Sequence, residues 1–87
     1  MDAASFDWDE ANIEHIAQHQ FKPEEVEEVF ENPHKVRRGS QGRYLAYGET
    51  LDGRLALVVF ERLPGNLTRV VTARDMNAKE RRLYRRK

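Results

Sequence analysis

The stretch Leu67-Thr68-Arg69-Val70-Val71-Thr72-Ala73-Arg74, continued by Asp75-Met76-Asn77 and then Ala78-Lys79-Glu80-Arg81-Arg82-Leu83-Tyr84-Arg85-Arg86-Lys87, decides the fold. Its first eight residues are mostly β-branched or apolar, the composition of a strand. The next three make a turn, and Asn77 stands three residues ahead of Glu80, the spacing of a capping box that opens a helix. That helix carries the most concentrated positive charge in the chain. It would repel itself unless salt, acidic groups or a phosphate backbone screened it.

Upstream, Leu63-Pro64-Gly65-Asn66 reads as the turn that returns the chain from the longest strand, Arg54 to Arg62. Leu55 to Phe60 within it are apolar without alternation, as in a central strand covered on both faces. Thr50-Leu51-Asp52-Gly53 is a further turn, preceded by the strand Tyr44-Leu45-Ala46-Tyr47, which Gly48 ends. The three strands form an antiparallel meander. Arg37 to Arg43, with two glycines, is read as a turn after strand texture resumes at Val36.

The first third is helical. Phe6 and Trp8 alternate with Asp7 and Asp9 in an extended lead-in, and Asp9 starts a helix whose stripe is Ile13, Ile16 and Ala17 and which ends near His19. Pro23 begins a second helix with Glu24 and Glu25 at its positive end, Phe21 stapled on Val26, and Val26, Val29 and Phe30 facing inward until Asn32-Pro33 stops it. Lys22 is an indifferent cap. The expected fold is α+β: two N-terminal helices packed on a three- to four-stranded antiparallel sheet, with a C-terminal helix.

Eighty-seven residues suffice for one domain, spanning 1–87. Without cysteine the chain has neither disulfides nor thiolate metal sites. No signal-peptide pattern opens it and no apolar run spans a bilayer, so a cytoplasmic, membrane-free protein is expected. The zero net charge conceals two opposed halves. Residues 1–35 hold ten acids against two bases, and residues 36–87 hold thirteen bases against five acids, net charges of −8 and +8. Either the basic part meets phosphates or an acidic partner, or the halves neutralise each other across the fold.

Candidate chemistry is unevenly spread. His15 and His19, four apart on a helix, lack a third ligand, so no metal is expected. His34 reads as a loop histidine, an acid or base near neutral pH or an ordinary exposed residue. Glu24, Glu25, Glu27, Glu28 and Glu31 read as a solvated face, and neither Ser5 nor Ser40 is framed as a nucleophile. If the two turns are four-residue loops, Arg43, Phe60 and Arg69 line up across the sheet. That row is either an aromatic for stacking a base between phosphate contacts, or arginine stems covering the core edge. Arg74, at the strand end, stands beside Lys79, Glu80, Arg81, Arg82 and Tyr84. Arg74 and Lys79 with Glu80 and Tyr84 could supply cations for a pentacovalent phosphate and groups that move protons near the 2′ oxygen and the leaving oxygen, with Arg81 and Arg82 as contacts to the RNA. Alternatively, Glu80 only caps the helix and Tyr84 with Leu83 anchors it.

The order of residues also resembles a known family. Phe6-Asp7-Trp8-Asp9, Asn12, His19, then Pro23-Glu24-Glu25-Val26-Glu27-Glu28-Val29-Phe30 with Asn32-Pro33, looks like the opening of the BrnT toxins. Arg69-Val70-Val71-Thr72-Ala73-Arg74 followed by Lys79-Glu80-Arg81-Arg82-Leu83-Tyr84 is similar to their closing stretch, with Arg43 to Gly48 and the strand ending Val59-Phe60 between. The resemblance implies a RelE-like fold, metal-independent and cofactor-free RNA cleavage that stops translation, and a DNA-binding, BrnA-like antitoxin. Because both faces of Arg54 to Arg62 are apolar and three short helices leave part of them uncovered, the antitoxin complex is expected to hold two copies of this chain. It puts site expectations on Arg74, Arg69, Glu80 and Tyr84, while Asp75 stands where many members have a basic residue.

Overall fold

The computed structural model describes residues 5–86, so Lys87 of the basic stretch lies outside the described residues. The elements are β1 (Ser5–Phe6), α1 (Glu10–Ala17), α2 (Pro23–Glu31), β2 (His34–Arg38), β3 (Tyr44–Glu49), β4 (Leu55–Leu63), β5 (Leu67–Asp75) and α3 (Ala78–Arg85). They form an α+β structure with a five-stranded sheet in the order β1-β5-β4-β3-β2. β1 runs parallel to β5 and all other pairs are antiparallel, so the sheet is mixed. This corrects the expected three or four antiparallel strands. A two-residue strand is too short to show a period, and β2 extends the strand texture at Val36 into residues read as loop at His34 and as turn at Arg37 and Arg38.

The helix starts follow local chemistry. Asp9 accepts from the Asn12 backbone N–H at 3.0 Å while the Asn12 side chain accepts from the Asp9 N–H at 2.8 Å. Lys22 has no acceptor to offer α2, so half a box forms there, with Glu25 accepting from the Lys22 N–H at 2.9 Å. Asn77 and Glu80 make the full reciprocal pair at 2.8 and 2.9 Å.

The core lies between α1–α2 and one sheet face. Ile16, Phe21, Val26 and Val29 meet Ala46, Ala56, Val58, Phe60, Val70 and Ala73, with Phe6, Trp8, Phe30 and Tyr44 at the margin. Each large side chain so buried contributes about 1.5–3 kcal/mol. Gly48 permits the approach of α2 to β3: a Cβ there would stand 2.9 Å from His34 Cβ and 3.0 Å from Val29 Cγ1.

Register overturns the expected arginine row. Leu63 pairs with Leu67 across the three-residue loop Pro64-Gly65-Asn66, in which Gly65 and Asn66 have φ of 81° and 60°. Glu49 pairs with Leu55, making the other loop longer than expected. Each change shifts pairing by one residue and so exchanges the faces. Phe60 therefore lies opposite Tyr44 and Val70, in the core at 1% exposure, and Arg69 lies opposite Glu61. A bulge at Val59/Phe60 adds one more offset, which leaves Arg74 opposite Leu57 where Leu55 was expected.

Candidate active site

The sheet face turned away from α1 and α2 carries a row across four strands. Lys35 of β2 pairs with Tyr47 of β3, Tyr47 with Leu57 of β4, and Leu57 with Arg74 of β5. Arg37, two residues from Lys35, points to the same face. Beyond β5, Asp75-Met76-Asn77 turns the chain back: Met76 is buried and its N–H donates to the Leu55 carbonyl at 3.1 Å. α3 is thereby laid over the row. Lys35, Arg37, Tyr47, Glu80, Leu83 and Tyr84 line a cleft of about 240 Å³.

Arg74 grips Glu80 with both ends of its fork, Nη1 to Oε1 at 2.9 Å and Nη2 to Oε2 at 2.8 Å. This bond holds the Glu80 carboxyl below the usual carboxylate range and raises the guanidinium. Burial, with Glu49 nearby, pushes the Tyr84 phenol up, so it keeps its proton at neutral pH. Lys35 Nζ donates to the Tyr84 carbonyl at 3.2 Å and stands 5.5 Å from the centre of the Tyr84 ring. The site thus combines cations, an aromatic surface, a carboxylate and a phenol, a set suited to binding a phosphodiester and moving protons around it.

Of the residues singled out in the sequence, Arg74, Glu80 and Tyr84 come together here. Lys79 is exposed on α3 and does not line the cleft. Arg81 donates to the Met76 carbonyl at 2.7 Å, and Arg81 and Arg82 line a shallow outer groove with Arg85 and Arg86. Arg43 pairs with Glu61 at 3.3 Å, and Arg69 ties down the lead-in through Asp7 at 3.1 Å and Asp9 at 3.0 Å. With Phe60 in the core, the stacking row of Arg43, Phe60 and Arg69 does not exist. Side chains change faces when register shifts, so the two arginines found carboxylates and Phe60 joined the core.

Lys35, Arg37 and Tyr47 were missed as site residues. The alternation Lys35-Val36-Arg37 was the signal, two bases on one side of a short strand. His34 is a strand residue rather than a loop one. Its Nδ1 lies 2.8 Å from the Asn32 carbonyl, which accepts only, so Nδ1 carries the hydrogen, and the ring packs edge-on against Phe30. Asp75 binds Arg54 at 2.7 Å, which lowers its pKa. Arg54 also stacks 3.6 Å over Phe21 and donates to the Gln20 carbonyl, so Asp75 joins β5 to the α1–α2 connection. Among the described residues no three His, Asp or Glu side chains gather as a metal site, and no helix is long and apolar enough to cross a membrane.

Comparison with curated proteins returns no match. Among solved structures, the chain is similar to the 1.1 Å crystal structure of the Brucella abortus ribonuclease toxin BrnT, with 22% identity, a TM-score of 0.70, and coverage of 85% of this chain and 97% of that one. At that identity the match shows the fold. The family model described as "Ribonuclease toxin, BrnT, of type II toxin-antitoxin system" matches residues 8–80, from Trp8 at the lead-in to Glu80 in the first turn of α3. Arg81, Arg82 and Tyr84 stand beyond that match. Because the matched region takes in both core-forming helices, β2 to β5 and the Arg74–Glu80 pair, the chain belongs to the BrnT family of ribonuclease toxins of type II toxin–antitoxin systems.

Proposed function

We propose that the chain is a metal-independent endoribonuclease of the RelE-like class that stops translation by cutting single-stranded RNA in the cleft beneath α3. The observation that carries this reading is the row Lys35, Tyr47, Leu57 and Arg74, with Glu80 and Tyr84 set over it. Cations at both ends suit the charge of a pentacovalent phosphate, and an aromatic between them suits a stacked base.

In cleavage, the 2′ oxygen attacks phosphorus while the bond to the 5′ oxygen breaks, giving a 2′,3′-cyclic phosphate and a 5′-hydroxyl. The proton leaving the 2′ oxygen goes to the Glu80 carboxylate, which regains ordinary basicity once Arg74 turns to the phosphate. Tyr84, still protonated at neutral pH, donates to the 5′ oxygen. Lys79, Arg81 and Arg82 add positive potential from the outer side of α3.

A type II system implies an antitoxin. We read it as a BrnA-like DNA-binding protein that holds two copies of this chain, supported by the incompletely covered Leu45 and Val59 on the open face. A strictly 1:1 complex in light scattering would count against the two copies. The bidentate Arg74–Glu80 pair favours a second reading, in which these residues only shape a basic surface that binds RNA without cutting.

Single-turnover cleavage of a single-stranded RNA at saturating protein, with EDTA present, separates the readings. Cyclic-phosphate products with EDTA present are expected. Binding without cleavage under any condition would leave the non-catalytic reading in front.

A further inference from the structure

Resting on that reading of the cleft, we propose that Arg74 and Lys35 form a concealed phosphate-binding pair. In the folded chain their places are taken by acceptors of α3 itself, so an RNA backbone binds by exchange and loosens α3.

α3 is fastened to the sheet at two points. At its start, the Arg74 fork holds both Glu80 oxygens at 2.9 and 2.8 Å. At its end, Lys35 Nζ reaches the Tyr84 and Arg86 carbonyls at 3.2 and 3.5 Å. Burial between them is partial: Glu80 and Tyr84 are half-buried, no residue of α3 is fully buried, and Leu83 is 46% exposed. Arg81 bonds Met76 in the adjoining turn, so it does not reach the sheet face.

Both fastening cations belong to the same cross-strand row, at its two ends. Three strand spacings set their backbones about 14 Å apart, far enough that each holds its own acceptor. The acceptors have the chemistry of the expected substrate. A carboxylate offers a guanidinium the same pair of oxygens that a phosphate does. The last helix carbonyls present the negative end of the helix dipole to an ammonium. Glu80 and Tyr84 are four residues apart, about 6 Å along the axis, a spacing that successive phosphates can match.

The exchange therefore trades like for like, and its effect falls on α3. An eight-residue helix is unstable alone in water, so one that loses both fastenings frays. The linkage is reciprocal: whatever frees Arg74 from Glu80 strengthens RNA binding, since the free site no longer has to be vacated first.

The test uses the full chain and a 2′-O-methyl oligoribonucleotide, which binds but has no 2′ hydroxyl to react. Amide exchange of residues 78–86 in the wild type should quicken by about threefold or more on saturation, while β4 amides stay protected. Inorganic diphosphate, a probe that needs no base recognition, should do the same. Glu80→Gln keeps a capping side chain but removes the competing charge, so it should exchange faster without ligand and bind the oligonucleotide about three- to tenfold tighter. Unchanged or slower α3 exchange on saturation, or weaker binding by folded Glu80→Gln, would overturn the exchange. Cleavage of RNA by a protein whose α3 stays protected would overturn the exchange alone. Quickening of α3 by diphosphate in a protein that cuts no RNA would support the pair and count against the ribonuclease reading alone.

Discussion

On one side of the sheet, α1 and α2 bury Ile16, Phe21, Val26 and Val29 against Ala46, Val58, Phe60 and Val70; on the other, α3 shares a cleft with Tyr47 and has no fully buried side chain, Glu80 and Tyr84 being half-buried. The first contact is apolar, and persists in any salt or pH that leaves the fold intact. The second is made of charge-assisted hydrogen bonds from Arg74 and Lys35, which answer to ions, protons and competing anions. Cohesion and recognition have been assigned to opposite faces of one sheet. The charge halves follow this division in part, with the glutamates of α2 on the packed side and the arginines of α3 on the open side.

The comparison breaks most sharply at Phe60. Phe60→Ala removes the ring that meets Phe30 and Tyr44 at 5.1 and 5.6 Å. It should remove about 3–4 kcal/mol of stability, measured by thermal or denaturant melting. A loss under about 1 kcal/mol would show that the packed face is not what holds the domain.

Arg74→Ala tests the open face. Cleavage per bound complex should fall by about a hundredfold or more, roughly 3 kcal/mol, with affinity falling much less. The solvent-screened pair with Glu80 contributes about 1 kcal/mol or less to stability, so a melt run alongside should move little. Unchanged cleavage by the folded variant would remove Arg74 from the site.

Salt sharpens the contrast next. Neutralisation of four phosphates on the open face would give a log–log slope of about −3 for single-stranded RNA, so that a fourfold rise in salt weakens binding by about sixtyfold. A slope near zero would rule out phosphate recognition, and the packed face should hold its melting temperature over the same range.

Acid should separate the faces as well. Glu80 is held below its ordinary pKa by Arg74, and Asp75 by Arg54. Because the folded values are depressed, the stabilisation is complete above the ordinary carboxylate range near 4 and is lost as pH falls through the folded values. Together they amount to about 1 kcal/mol after screening. Asp9, lowered chiefly by the Asn12 N–H, puts the α1 start under the same rule. Between pH 6 and 3, amides of α3 and the first turn of α1 should lose protection before those of β4, as followed by hydrogen exchange. Loss in all three together would mean the latch is not separable from the core. The smallest effect belongs to Arg86→Ala: at this exposed position, affinity should change less than about threefold and rate per complex hardly at all.

The local elements could be read from the chain by itself. Asp9, Pro23 at the first helical position, and Asn77 with Glu80 mark helix starts because caps and first-turn preferences involve residues within three of one another, and no distant contact has to be known. Leu55 to Phe60 identified the central strand, since a run without alternation fits two covered sides. Arg74, Glu80 and Tyr84 were visible as a group because turn and helix bring them together within eleven residues of chain. What only the tertiary structure decided was which side each strand shows. A loop of three residues instead of four, one of five, and a bulge at Val59/Phe60 turned Phe60 into the core, bound Arg69 to Asp7 and Asp9, and set Arg74 in line with Lys35. With a side-chain period of two, a single residue of slip exchanges the faces, and nothing local to a strand records the slip.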